Sequence, residues 1–172
     1  MLLVLRIIGI FNAAIWLGSG IFFTFGVARG VFSAEMKQVF PGEYTGYIGQ
    51  VLIGKYFTFS LVCALIALGH FFAEMIYAGK PFRRLTFGLL VGMLALGLIG
   101  AYVLAPKIRQ LHRDKYRGTM EQQVTAAKEL PRLHAVSASA NLLVLLALIV
   151  YTWQVTNPSD PTRFVGTTKF RS

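Results

Sequence analysis

Residues 132–153 read RLHAVSASANLLVLLALIVYTW. From Ala135 to Trp153 this run carries no charged residue, and it approaches the roughly 20 apolar residues that a helix needs to cross a bilayer core. Hydrocarbon offers no partner to backbone N–H and C=O groups, so such a run must satisfy them within itself, as an α-helix. Its opening is not uniformly apolar. His134, Ser137 and Asn141 stand at i, i+3 and i+7, a spacing that puts them on one helix face. Lipid tails cannot satisfy that stripe, so its partners must come from protein or from a bound molecule.

Three earlier segments escape charge in the same way: Ile7 to Ala28, Tyr56 to Ala73 and Leu85 to Pro106. Composition agrees. The 172 residues are 55% hydrophobic and only 14% charged, with a mean hydropathy of +0.60, whereas soluble domains carry about a quarter charged residues. The sequence therefore predicts an all-α fold, an integral membrane four-helix bundle. One domain covers 1–155, with crossing helices near 2–28, 51–78, 84–106 and 132–155 and a short helix over 120–130. An irregular tail covers 156–172. The first segment read as a signal peptide would use Arg6 as its basic flank, but its apolar run is longer than such peptides need and no A-x-A-like site follows. The single cysteine, Cys63, allows no intrachain disulfide.

A net charge of +10 invites a nucleic-acid reading. The positive residues lie instead at the ends of apolar runs and in the connections between them, where lipid headgroups sit. The expected partners are thus the bilayer and other membrane helices, in a homo- or hetero-oligomer, and no nucleic acid. The expected location is a bacterial inner membrane. Counting Lys and Arg on each side gives seven with the termini and ten on the other side. The positive-inside rule then leans toward a cytoplasmic 107–132 loop.

The connections differ in character. Between the first two crossings, Val31, Phe32, Phe40, Tyr44 and Tyr47 make the segment too apolar for a free loop; an interfacial position with aromatic side chains at headgroup depth suits it. GKPFRR, residues 79–84, is short and makes the second and third helices an antiparallel pair. In the long polar connection, Thr119-x-x-Gln122 matches a capping box. Gly118 precedes it, and Pro131 suits the first turn of the last membrane helix.

Several constellations could carry chemistry. Asn12 and Trp16 share a face of the first helix with Ser19 and Phe23, and Asn12 must face protein. With His134, Ser137 and Asn141 they form a candidate polar core, read first as interhelical hydrogen bonds holding the bundle, with Asn12 and Trp16 nearest the stripe. On the second helix Tyr56, Ser60, Cys63, His70 and Glu74 follow one another at helical steps. Cys63, His70, Glu74 and His134 are candidate ligand-binding residues, since thiolate, imidazole and carboxylate all bind transition metals. Cys63 lies about 10 Å along the axis from His70, so one ion could take His70 and Glu74 but hardly all three; an interfacial His–Glu pair is the plainer alternative. No HExxH motif or CxxC pair supports a metal, and no histidine spacing marks a haem site. Gly88-x-x-x-Gly92 would let helix backbones approach closely. The sequence has no catalytic triad pattern, phosphate loop or paired intramembrane carboxylates, which points away from an enzyme and from ion-coupled transport.

Three stretches taken together, FNAAIWLGSGIFF, APKIRQLH and RLHAVSASANLL, resemble the family of the domain of unknown function 4149, four-helix membrane proteins related to human transmembrane protein 205. The resemblance covers roughly residues 5–155 and rests on Asn12, Trp16, Gly18, Leu133, His134, Ser137 and Asn141. Family members often have Ala-Pro after the first helix, where this chain has Ala28-Arg29. The resemblance implies the fold and supplies no reaction. Three function classes follow. The favoured one is a non-catalytic membrane subunit or assembly factor. The alternatives are a small transporter or resistance factor for a metal or amphipathic compound, and a haem- or quinone-associated redox protein. The cofactor is unknown from sequence.

Overall fold

The computed structural model describes residues 2–77, 79 and 81–157; the expected tail lies, from 158 on, outside the described residues. The first apolar segment forms α1 (Leu2–Ile21), a π-helical stretch (Phe22–Val27) and a short α2 (Ala28–Val31). Ile21 and Ala28, on either side of the π stretch, keep right-handed helical dihedrals, so the three pieces make one continuous rod. The chain then turns at Ser33, whose hydroxyl accepts the Met36 N–H at 3.2 Å and starts α3 (Ala34–Val39). Pro41 marks the next turn, and α4 runs from Gly42 to Tyr77. After the short connection, α5 (Arg84–Ile99) passes through a second π-helical stretch (Gly100–Leu104) into α6 (Ala105–Arg117). The last element, α7, covers Met120–Thr156.

Four of these rods are long and apolar enough to cross a bilayer: Leu3–Val39, Gly42–Tyr77, Arg84–Arg117 and Met120–Thr156. The described residues contain no strand. The protein is an all-α, multi-pass integral membrane protein. Its lipid-facing surface is what that solvent demands, with Leu3, Phe11, Phe22, Leu65, Ile76 and Leu143 all exposed.

The rods are longer than the sequence suggests. The second helix begins at Gly42, just after Pro41, rather than near 51; Gly42, Gly46 and Gly49 do not stop it, and its first turns pack against α6. Residues 107–117, expected as polar loop, continue the third rod as α6. The short helix expected over 120–130 and the crossing expected from 132 are one helix, with Pro131 in its interior. A proline forfeits one backbone hydrogen bond there without ending the helix. The capping box does form: Thr119 Oγ1 accepts the Gln122 N–H at 3.4 Å, and Gln122 Oε1 accepts the Thr119 N–H at 2.9 Å. At 1.5 Å per residue α7 is about 55 Å long, well beyond a core of about 30 Å. Its first turns therefore stand clear of the hydrocarbon, alongside α6.

The packed core occupies the half of the bundle nearer the N-terminus. Ala13, Trp16, Cys63, Ala67, Leu90, Leu148 and Tyr151 belong to one buried cluster. The alanines let α1 and α4 approach closely, which is how helices gain contact when lipid removes the hydrophobic drive. Phe71, Phe72, Phe82 and Phe87 meet ring to ring, with centroids 5.2 Å apart for Phe82 and Phe87 and 5.7 Å for Phe71 and Phe82, closing the α4–α5 hairpin. At the other end α6 rests on the first turns of α4. Arg117 and Glu43 form an ion pair at 2.8 Å, and a Cβ at Gly46 would run into the His112 imidazole.

Candidate intramembrane cavity

Between the packed core and the α6 end, the four rods separate around a cavity of about 240 Å³. Each wall follows from a local feature. The first rod contributes Phe23 and Thr24 from its π-helical stretch, and the third contributes Gly100 and Leu104 from its own. A π-turn inserts a residue into the helix and re-aims the side chains around it, and such turns recur at functional sites. From α4 come Ile53, Tyr56, Phe57 and Ser60, and from α7 come His134, Ser137, Ala138, Asn141 and Val144. Ala138 is exposed on the rim, so the cavity is not sealed from its surroundings.

The cavity is apolar in most of its wall but not in its hydrogen-bonding capacity. Asn141 Nδ2 donates to Thr24 Oγ1 at 2.7 Å, and Thr24 in turn donates to the Gly20 carbonyl, also at 2.7 Å. That bond joins the first and last rods at the cavity wall. Trp16 Nε1 donates to Ser60 Oγ at 2.9 Å, linking the packed core to the cavity. Tyr56 stacks on Phe23, with centroids 4.3 Å apart and planes 4° from parallel. Its hydroxyl is buried with no hydrogen-bond partner among the described residues. His134 meets Phe32 edge-to-face at 6.5 Å.

The structure sorts the candidate residues into separate groups. Asn12 and Trp16 belong to the core, not to the stripe: Asn12 Nδ2 donates to the Cys63 carbonyl at 3.0 Å, and both side chains are buried. His134, Ser137 and Asn141 line the cavity instead. The first and last rods do pack together, yet each asparagine uses its amide elsewhere, so Asn12 and Asn141 do not pair. Cys63 sits buried in the core cluster. His70 and Glu74 lie together one turn apart, at 3.9 Å, with His70 Nε2 also 2.9 Å from the Leu5 carbonyl. They border a second, smaller cavity of about 20 Å³ with Thr86, Tyr151 and Gln154, room for about one water. Among the described residues no three His, Cys, Asp or Glu side chains come together as a metal would require. Gly88 and Gly92 face outward, and a Cβ at either would meet nothing within 4 Å. The close approaches fall instead at Gly97, against Leu61, and at Gly100, against Phe57.

Thr24, Tyr56 and Ser60 are the residues that sequence reasoning undervalued. Tyr56 and Ser60 were visible as one face of the second helix. Thr24 carried a weaker signal, a lone hydroxyl four residues after Gly20 in an aromatic run.

These features define a class: a multi-pass helical membrane protein with a largely apolar cavity, dotted with polar groups, between its rods. Residues 11–117, more than half of the chain, match the family model described as domain of unknown function DUF4149. The chain belongs to that family. The match contains the first two motifs that carry the resemblance and stops before the third, which lies within α7. No curated protein and no solved structure matches the chain.

Proposed function

We propose that the protein binds a small amphipathic molecule inside the membrane, as a carrier or resistance factor would. The observation that carries this reading is the cavity walled by all four rods, apolar over most of its surface and holding one buried hydroxyl, that of Tyr56, without a partner among the described residues. Small-molecule sites combine an apolar lining with a few placed polar groups, and form between the helices of bundles. In a bilayer the second condition is demanding, because an unpaired polar group costs several kcal/mol in hydrocarbon. A bound molecule relieves that cost. The greater share of Lys and Arg on the α6 side supports a cytoplasmic α6 end in a bacterial inner membrane, with the cavity in the half of the bundle nearer that end.

The test is extraction. Protein purified from its own membrane, in mild detergent, is stripped with organic solvent and its small molecules are weighed by mass spectrometry. The same is done for Ser137→Phe, which places a ring in the cavity. Wild-type protein should yield a small amphiphile in fixed ratio and the variant about tenfold less, with unchanged helical circular dichroism. Equal yields from both, or none from either, would contradict the proposal.

A role as a membrane subunit or assembly factor is the second reading. One observation favours it: Gly88 and Gly92 open a notch on the outer face of α5 that nothing among the described residues fills, where another helix could approach closely. Native mass in detergent separates the two. A fixed heteromeric particle supports a subunit role, and a particle of 19.0 kDa chains alone removes it.

A further inference from the structure

We infer that the molecule held in the cavity is electrically neutral and is anchored through a hydrogen-bond acceptor, as a ketone, ester or quinone carbonyl would be. This rests on the binding role proposed above and names the chemistry that role selects. Among the described residues the lining contains no Lys, Arg, Asp or Glu; its titratable side chains are His134 and Tyr56. A carboxylate or ammonium entering it would leave water without gaining a counter-charge, the costliest way to fill a membrane cavity.

The acceptor preference comes from the donor inventory. The Ser60 oxygen already accepts the Trp16 N–H, which leaves it a proton to donate and one lone pair. The Tyr56 hydroxyl is buried and has no partner among the described residues. Ser137 supplies another hydroxyl on the lining, and a neutral His134 one N–H. One Asn141 N–H is engaged with Thr24 and the second adds to these donors, whereas the acceptors without a proton of their own are the Asn141 carbonyl oxygen and the second His134 nitrogen. A molecule that brings lone pairs and no charge satisfies the most groups at once. The aromatic pair Phe23–Tyr56 and the Phe57 ring supply the apolar walls.

Size bounds the part of the molecule that is enclosed. A cavity of about 150 Å³ holds benzene. On that scale 240 Å³ holds about ten non-hydrogen atoms, and a longer tail would leave past Ala138.

The experiment uses the full chain in lipid nanodiscs with Trp153→Phe, which leaves Trp16, the hydrogen-bond partner of Ser60, as the sole tryptophan reporter. Four probes of matched chain are titrated at about pH 8, where acid and amine are ionised: 2-decanone, decane, decanoate and decylammonium. The ketone should give a saturable fluorescence change with affinity about tenfold above the other three, one well-placed hydrogen bond's worth. A Tyr56→Phe/Ser137→Ala double variant should lose about that factor for the ketone and keep decane binding unchanged. Decanoate or decylammonium binding as tightly as the ketone would overturn the neutral class while leaving the cavity a binding site. Decane binding equally well, or falling equally in the double variant, would overturn the hydrogen-bond assignment. No saturable binding of any probe would remove the binding role itself.

Discussion

At the scale of single residues, polar contacts tie the rods together at several places, among them Asn12 to the Cys63 carbonyl, Trp16 to Ser60, Thr86 to Gln154, and Asn141 to Thr24. Hydrogen bonds between membrane helices contribute about 0.6 kcal/mol on average and up to about 1.7. Asn141→Leu should therefore lower stability in detergent by about 1 kcal/mol, and Thr24→Val combined with it should add little, because both changes break one bond. Additive losses in that double-mutant cycle would contradict the pairing. A steric prediction belongs here too. Gly46→Ala puts a methyl group where the His112 ring stands, so it should detach α6 from α4 and lower the midpoint of thermal unfolding. His112→Ala in the same chain should recover much of that loss, and failure to recover it would mean that the ring is not what the methyl meets.

At the scale of elements, the polar face of the last crossing was legible from spacing alone, since His134, Ser137 and Asn141 do line one surface. Its partners were not. Helical spacing along the first segment points from Asn12 and Trp16 on to Phe23, but the π-helical stretch shifts the faces by an extra residue and brings Thr24 toward Asn141. A period of 3.6 carries no signal for that insertion. Rod length was hidden for a related reason: Pro131 and the charges of 107–117 look like boundaries, whereas side-by-side packing of α6 and α7 carries the helices through them. Continuity makes a prediction. Pro131→Ala restores a backbone hydrogen bond inside α7 and removes the ring's clash with the preceding turn, so it should stabilise the protein by roughly 1–3 kcal/mol in thermal or denaturant unfolding. A neutral or destabilising result would indicate that Pro131 starts a helix rather than interrupting one.

At the scale of the whole molecule, the bundle divides into a half that is closed by packing and a half that is held open. Alanines, Trp16, Leu148 and Tyr151 fill the first. Two π-helical stretches and a polar stripe bound the second. Composition and hydropathy were enough to predict the four crossings, because the bilayer leaves a chain few other choices. They could not predict the cavity, which depends on how far the rods diverge. Orientation is a whole-molecule property as well. With Cys63→Ala as background, Lys115→Cys should react with a membrane-impermeant maleimide only after the cytoplasmic side is exposed; labelling of intact cells would reverse the topology. The central claim is best tested by a density map of the protein, taken from its own membrane in a lipid particle. The binding reading predicts density for a small molecule between the π-helical stretches and α7, with a polar atom within hydrogen-bond reach of Tyr56, Ser60 or Ser137. A cavity closed by side chains, or filled by a lipid tail with no polar contact, would contradict it.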